Sequence, residues 1–125
     1  MNNKKIEKAL EYYNKKEYQK AIDVFSSVLE TCQDNAELYN NIALCYANLG
    51  DDEKAEKYYL KAEELNPKLP QIYINLADIY YRQREMWKGI ELVTHGISEN
   101  PDNLVLRHYL ARFYMEDARL DLAID

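Results

Sequence analysis

The side chains best suited to chemistry are few in this 125-residue chain: His95 and His108, Cys32 and Cys45, Ser26, Ser27 and Ser98, and two carboxylate runs. The histidines lie on different predicted helices, with no cysteine or third imidazole at the spacing a zinc site uses. The run Asp51-Asp52-Glu53 opens a predicted helix, where acids favour the positive end of the dipole. Glu63-Glu64 reads as a solvated face. None of the serines has a recognisable base partner. The phosphate-binding and nucleophile-elbow patterns GxGxxG, GxxxxGK[ST] and GxSxG are absent from the sequence. Cys32 falls near the end of one predicted helix and Cys45 about three turns into the next, which separates them by more than the ~7 Å a disulfide spans. Two cysteines used as small apolar residues suit a reducing compartment, so a cytoplasmic location is expected. The reading is of a non-enzymatic chain with no catalytic residue, no metal ligand and no cofactor.

The elements that would carry any site repeat. Displaced by 34 residues, the chain falls onto itself: Ala9, Ala43, Ala77 and Ala111 share one column, and Tyr12, Tyr46, Tyr80 and Tyr114 another. Ala21, Ala55, Gly89 and Ala123 form a third; Phe25, Tyr59 and Val93 a fourth; Pro67 and Pro101 a fifth. A fixed period of this length marks a stacked helical repeat. Apolar spacings of three and four predict paired helices at about 4–15 and 18–31, 36–49 and 51–65, 70–83 and 86–99. A seventh is expected at about 103–115, and the start of an eighth near Arg119. Asn2 or Asn3 is placed to cap the first, and Gly50 to end the third in a left-handed turn. Gly89 and Gly96 should weaken the sixth helix and let a neighbouring backbone approach closely. Trp87 is expected to pack at the turn before it.

The aromatic Tyr39, then Ile42-Ala43, Tyr46, Ala55, Tyr59 and Pro67 resemble the tetratricopeptide repeat, and Tyr73, Ile74, Leu76, Ala77, Tyr80 and Pro101 repeat the pattern one unit on, with Gly89 for Ala. The resemblance covers nearly the whole chain. It implies one all-α domain over 1–125: an α-solenoid of antiparallel helix pairs, about three and a half units (2–35, 36–69, 70–103 and a partial 104–125), wound as a right-handed superhelix. Lys5 and Lys8 stand where Tyr39 and Ile42 stand later, which suits a water-facing first helix. Arg107 stands in the Tyr39 and Tyr73 column. Because the last unit stops inside a repeat, the chain is expected to be a piece of a longer protein, or to have an open end that pairs with something.

In that family the first helix of each pair lines a concave surface that receives an extended peptide or a helix. The resemblance places Ile6, Leu10, Tyr13, Asn40, Asn41, Leu44, Asn48, Gln71, Ile74, Asn75, Asp78, Tyr81 and Arg82 on that groove, with Glu37 beside them and Val105, His108 and Arg112 from the partial unit. Asn41 and Asn75 recur at the period, and an amide side chain both donates to and accepts from a peptide backbone. Some members clamp a chaperone's C-terminal carboxylate with lysine, arginine and asparagine. The corresponding positions here are Ile6, Leu10, Asn41, Gln71 and Asn75, or Asn40, Leu44, Asn75, Val105 and Tyr109. Fixed positive charge is missing from both sets, so no such clamp is expected.

The implied role is a scaffold that binds a protein or peptide partner. Two alternatives are a module that self-associates through its open C-terminal end, using Leu110, Leu120 and Ile124, and the accessory part of a larger protein. A net charge of −6 and a pI near 5.0 argue against nucleic acid and against anionic membrane surfaces as partners. No apolar run has the ~18 residues of a membrane span, so insertion is not expected.

Overall fold

The computed structural model describes the backbone of residues 2–124 and the side chains of residues 3–118. It contains α1 (Asn2–Asn14), α2 (Tyr18–Leu29), α3 (Ala36–Asn48), α4 (Asp52–Leu65), α5 (Pro70–Arg82), α6 (Met86–Glu99) and α7 (Leu104–Ile124), with no strand among the described residues. The chain divides into two compact units, residues 1–66 and 67–125. The first holds α1 to α4 and the second α5 to α7.

Three turns share one construction. Lys16, Gly50 and Arg84 have φ of 63°, 83° and 64° and fall in one column of the repeat. One residue on, the N–H groups of Glu17, Asp51 and Glu85 donate back to the carbonyls of Tyr12, Tyr46 and Tyr80, each at 2.9 Å. This Schellman arrangement satisfies helix-end carbonyls and turns the chain back on itself. Caps then start several helices. Asn35 accepts from the Leu38 N–H at 3.3 Å, Asp51 from Lys54 at 3.1 Å and Asn103 from Leu106 at 3.0 Å. Asp51, from the acidic run, is thus a helix cap. The first helix begins at Asn2, so Asn3 lies within it rather than capping it.

In the first unit the core is Ala9, Ala21, Ile22, Phe25, Val28, Leu38, Ile42 and Cys45. Ala43, Ala55, Tyr59 and Ala62 are also fully buried. The tyrosine column has a further role: Lys20, Lys54 and Lys88 place their ammonium groups over the rings of Tyr12, Tyr46 and Tyr80 at 5.8, 5.4 and 5.7 Å. Each pair joins the first helix of a hairpin to the second.

In the second unit Ile72, Tyr73, Leu76, Ala77, Ile79, Val93, Leu106 and Phe113 are buried. What approaches its helical glycines is aromatic side chain, not backbone. A Cβ at Gly89 would lie 2.2 Å from Phe113, and one at Gly96 would lie 2.8 Å from Tyr73. Tyr73 donates its hydroxyl to the Pro67 carbonyl at 2.6 Å, and Arg107, one period on, donates to the Pro101 carbonyl at 2.7 Å.

Two expectations fail here. Trp87 does not pack at its turn; it is 71% exposed, because the residues of α6 that face its neighbours are Met86, Gly89, Ile90 and Val93. The seventh and eighth predicted helices are one: α7 runs unbroken for 21 residues. Ala118 occupies the column of Lys16, Gly50 and Arg84, yet stays helical. Alanine is the best helix former, and a left-handed non-glycine residue costs about 1–2 kcal/mol, so continuing is the cheaper path. Consequently the last members of the small and aromatic columns are uncovered. Ala111 is exposed, and Tyr114 is 52% exposed, whereas Ala43 and Ala77 are buried at 0% and Tyr80 at 6%.

Candidate functional site

Each unit presents the outward side of its first helices. In the first unit, α1 brings Ile6, Leu10 and Tyr13 and α3 brings Asn40, Asn41, Leu44 and Asn48. All are half-buried except Leu10 and Asn48, which are exposed. Asn48 joins the two helices, its Nδ2 donating to Tyr13 Oη at 3.3 Å and to the Leu44 carbonyl at 2.8 Å. Burial raises the Tyr13 phenol above its ordinary range, and the Asn48 hydrogen bond acts in the opposite sense. Asn41 makes no side-chain hydrogen bond among the described residues, so its amide is available to another chain.

In the second unit, α5 brings Gln71, Ile74, Asn75, Asp78, Tyr81 and Arg82, beside Val105, His108 and Arg112 of α7. Here the polar residues engage one another. Gln71 Nε2 donates to Asn75 Oδ1 at 3.1 Å, and Arg82 Nε to Asp78 Oδ2 at 3.1 Å. The Arg112 guanidinium lies 4.3 Å from the Tyr81 ring centroid and 5.7 Å from that of Tyr109. Burial chiefly raises the Tyr109 phenol, with Asp78 adding to it and Arg112 and Arg82 opposing. The face is therefore an alternation of paired charge and tyrosine rings.

Sequence reasoning missed Glu116. It accepts from Tyr81 Oη at 3.3 Å and from Arg84 Nη2 at 3.1 Å, so it ties α7 to the end of α5. The signal was available. Tyr13 and Tyr81 share a column, as do Asn48 and Glu116, and the Tyr13–Asn48 contact recurs as Tyr81–Glu116. Asn48 and Glu116 differ in type, which hid the correspondence. Also unforeseen is an open hollow of about 440 Å³ on the α3–α4 hairpin, lined by Tyr39, Lys57, Tyr58, Leu60, Lys61 and Glu64. Two of its lining residues, Tyr39 and Tyr58, stack with ring centroids 6.2 Å apart, and the Tyr58 ring also lies 5.5 Å from that of Tyr46.

The residues first considered for chemistry sit apart. His95 meets the edge of Tyr73 at 5.7 Å, while His108 is exposed on α7. Cys32 and Cys45 are free thiols, and burial pushes the Cys45 thiol up to about 11. Among the described residues no three His, Cys, Asp or Glu side chains converge as a metal site. No helix among them is long and apolar enough to cross a membrane.

Helical hairpins at a fixed period, each turned by a left-handed residue and presenting the side of its first helix, define an α-helical repeat protein. Residues 36–69 match the family model described as tetratricopeptide repeat, and residues 9–50 match one described as TPR repeat. The chain belongs to the tetratricopeptide-repeat family. It is 36% identical over 92 residues to the photosystem I assembly protein Ycf3 of Cyanophora paradoxa, covering 66% of this chain and 53% of the relative. The chain thus spans about half the length of that relative. Among solved structures it is similar to the Sgt2 TPR domain of Aspergillus fumigatus, with TM-score 0.88 and 20% identity over 99% of this chain and 83% of that one. The first TPR of Spaghetti (RPAP3) bound to the HSP90 peptide SRMEEVD has TM-score 0.83 and 20% identity, covering 94% of this chain and 93% of that one. At such identity these likenesses establish the α-solenoid fold.

Proposed function

We propose that this chain is a protein-interaction scaffold that receives an extended peptide or a helix of a partner protein against the sides of its first helices. The observation that carries this is Asn41: a half-buried amide without a hydrogen bond among the described residues, one turn from Leu44 on α3, with the exposed Leu10 on α1 of the same unit. Such an amide recognises any peptide backbone, while the leucines supply apolar contact. That a similar structure holds a chaperone peptide supports the use of this fold for peptide capture.

The ligand is not an acidic chaperone tail. On the first unit's face the clamp positions are Ile6, Leu10, Asn40, Asn41 and Leu44, without a cation. In the second unit Arg82 is paired with Asp78 and Arg112 is stacked on Tyr81. An isolated carboxylate would lose its hydration there without compensating charge.

The test starts from a displayed library of random peptides panned on the whole chain. The expected binders are uncharged or mildly basic extended sequences, and their binding weakens at least about tenfold in Asn41→Ala with Asn75→Ala, a loss of about 1.4 kcal/mol, while helicity and melting are unchanged. Selection of acidic C-terminal tails, or binders indifferent to the double change, would contradict the reading.

A further inference from the structure

The uncovered side of α7 identifies its own cover. In α3 and α5, Ala43 and Ala77 are buried at 0% because a second helix follows each turn and packs back. Ala111 and Tyr114 repeat those columns in α7 but are exposed. Leu104, at 78% exposed, and Met115, at 56%, extend the same side into an apolar strip. The sequence that belongs on this strip is already in the chain. Residues 119–125, RLDLAID, fall in register with 17–23, EYQKAID, at the start of α2. Ala123 and Ile124 take the places of Ala21 and Ile22, which are 0% and 3% exposed. Leu122 takes the place of Lys20, Lys54 and Lys88, the residues that cover the tyrosine column in earlier hairpins. Over Tyr114 the cover is therefore apolar.

That segment cannot reach the strip of its own chain while α7 is straight. The helix passes through Ala118 without the left-handed turn and extends about 32 Å at 1.5 Å per residue over its 21 residues. Glu116, held by Tyr81 and Arg84, keeps its line as far as the last turn before Ala118. We infer that α7 is the open hinge of an exchanged hairpin. A second copy of this chain lays its residues 119–125 antiparallel on Ala111 and Tyr114, and receives the first copy's segment in return. Exchanging an identical element between two copies of a chain is a low-cost route to a dimer, and a hinge that stays open permits it. The spacing fits: Ala111 and Ala123 are as far apart in sequence as Ala43 and Ala55, so an antiparallel pair of α7 helices sets Ala123 of one copy opposite Ala111 of the other.

The experiment places cysteines at both sites, Ala111→Cys with Ala123→Cys in a Cys32→Ser background, and oxidises the whole chain gently. A covalent dimer of doubled mass, with both cysteines consumed between chains, is the expected product. A cross-link closed within one chain would overturn the inference, since it would show the segment folded onto its own α7. Analytical ultracentrifugation of the unaltered chain gives an independent reading. Mass should rise from monomer to dimer across the micromolar range, and Ala118→Gly, which permits the turn, should weaken that dimer about tenfold. A monomer at every concentration, or a dimer indifferent to Ala118→Gly, would refute it.

Discussion

Phe113 rests its ring on Gly89, so closely that a methyl group there would lie 2.2 Å from two ring carbons. Two effects of Gly89→Ala therefore oppose each other. Helix propensity favours alanine by about 1 kcal/mol, while overpacking costs about 1–3 kcal/mol. Phe113 is fully buried and makes an edge contact with Tyr81 at 5.7 Å, so its ring has little room to withdraw. Gly89→Ala is expected to destabilise by about 1 kcal/mol or more net. In a Phe113→Leu background the same change should become neutral or stabilising. Urea unfolding of the four proteins measures both.

The turns give the reverse prediction. Lys16 carries φ 63° without a glycine's tolerance of it. Lys16→Gly should stabilise by about 0.5–1 kcal/mol, the relief of left-handed strain less the extra entropy of the unfolded chain. At Gly50 nothing lies within 4 Å of an added Cβ, so Gly50→Ala isolates the backbone term and should destabilise by about 1 kcal/mol. Arg84→Gly should gain less than Lys16→Gly, because it also removes the 3.1 Å contact with Glu116. Denaturation midpoints decide the ranking.

The lysine–tyrosine contacts predict a salt-sensitive contribution. Lys54→Met keeps most of the alkyl stem and removes the ammonium from over Tyr46. It should cost about 0.5–1 kcal/mol. High salt should shrink the difference.

Alkaline pH should unfold the chain in a defined order. Burial raises the Cys45 thiol from 9.0 to about 11, so the unfolded chain loses that proton first as pH rises. Above pH 9 the folded state binds more protons than the unfolded state, and stability falls as pH rises towards about 11. The raised phenols of Tyr13, Tyr46 and Tyr109 act in the same sense, their contribution falling away above 10. Cys45→Ala should flatten the part of the profile that begins near pH 9. At neutral pH a thiol reagent should label Cys32, half-buried, well before Cys45.

Much of this fold was legible in the sequence because it is repetitive. Ala9, Ala43 and Ala77 report one packing position three times, so weak single signals reinforce one another, and the first six helices were found within a few residues. Legibility ended where the repetition did. Ala118 looks like any helix residue, and only its column shows that a turn was due there; the period predicted a break that local propensity overrode. Trp87 misled because its apolar area suggests burial, while its place on α6 puts it on the outer side. The candidate face was only partly readable. Asn41 and Asn75 occupy one column, yet Gln71 engages Asn75 while Glu37 stands at the matching place before Asn41. Equivalent positions are not equivalent sites once their neighbours differ.

The central claim is that the sides of the first helices receive another polypeptide, and amide chemical-shift mapping with a library-selected peptide tests it most directly. Titration into the labelled chain should move the resonances of Leu10, Asn41, Leu44 and Asn75 first, leaving the outer residues of α2 and α6, such as Asp23 and Glu91, in place. Shifts confined to α2, α4 and α6, with Asn41 unmoved, would contradict it.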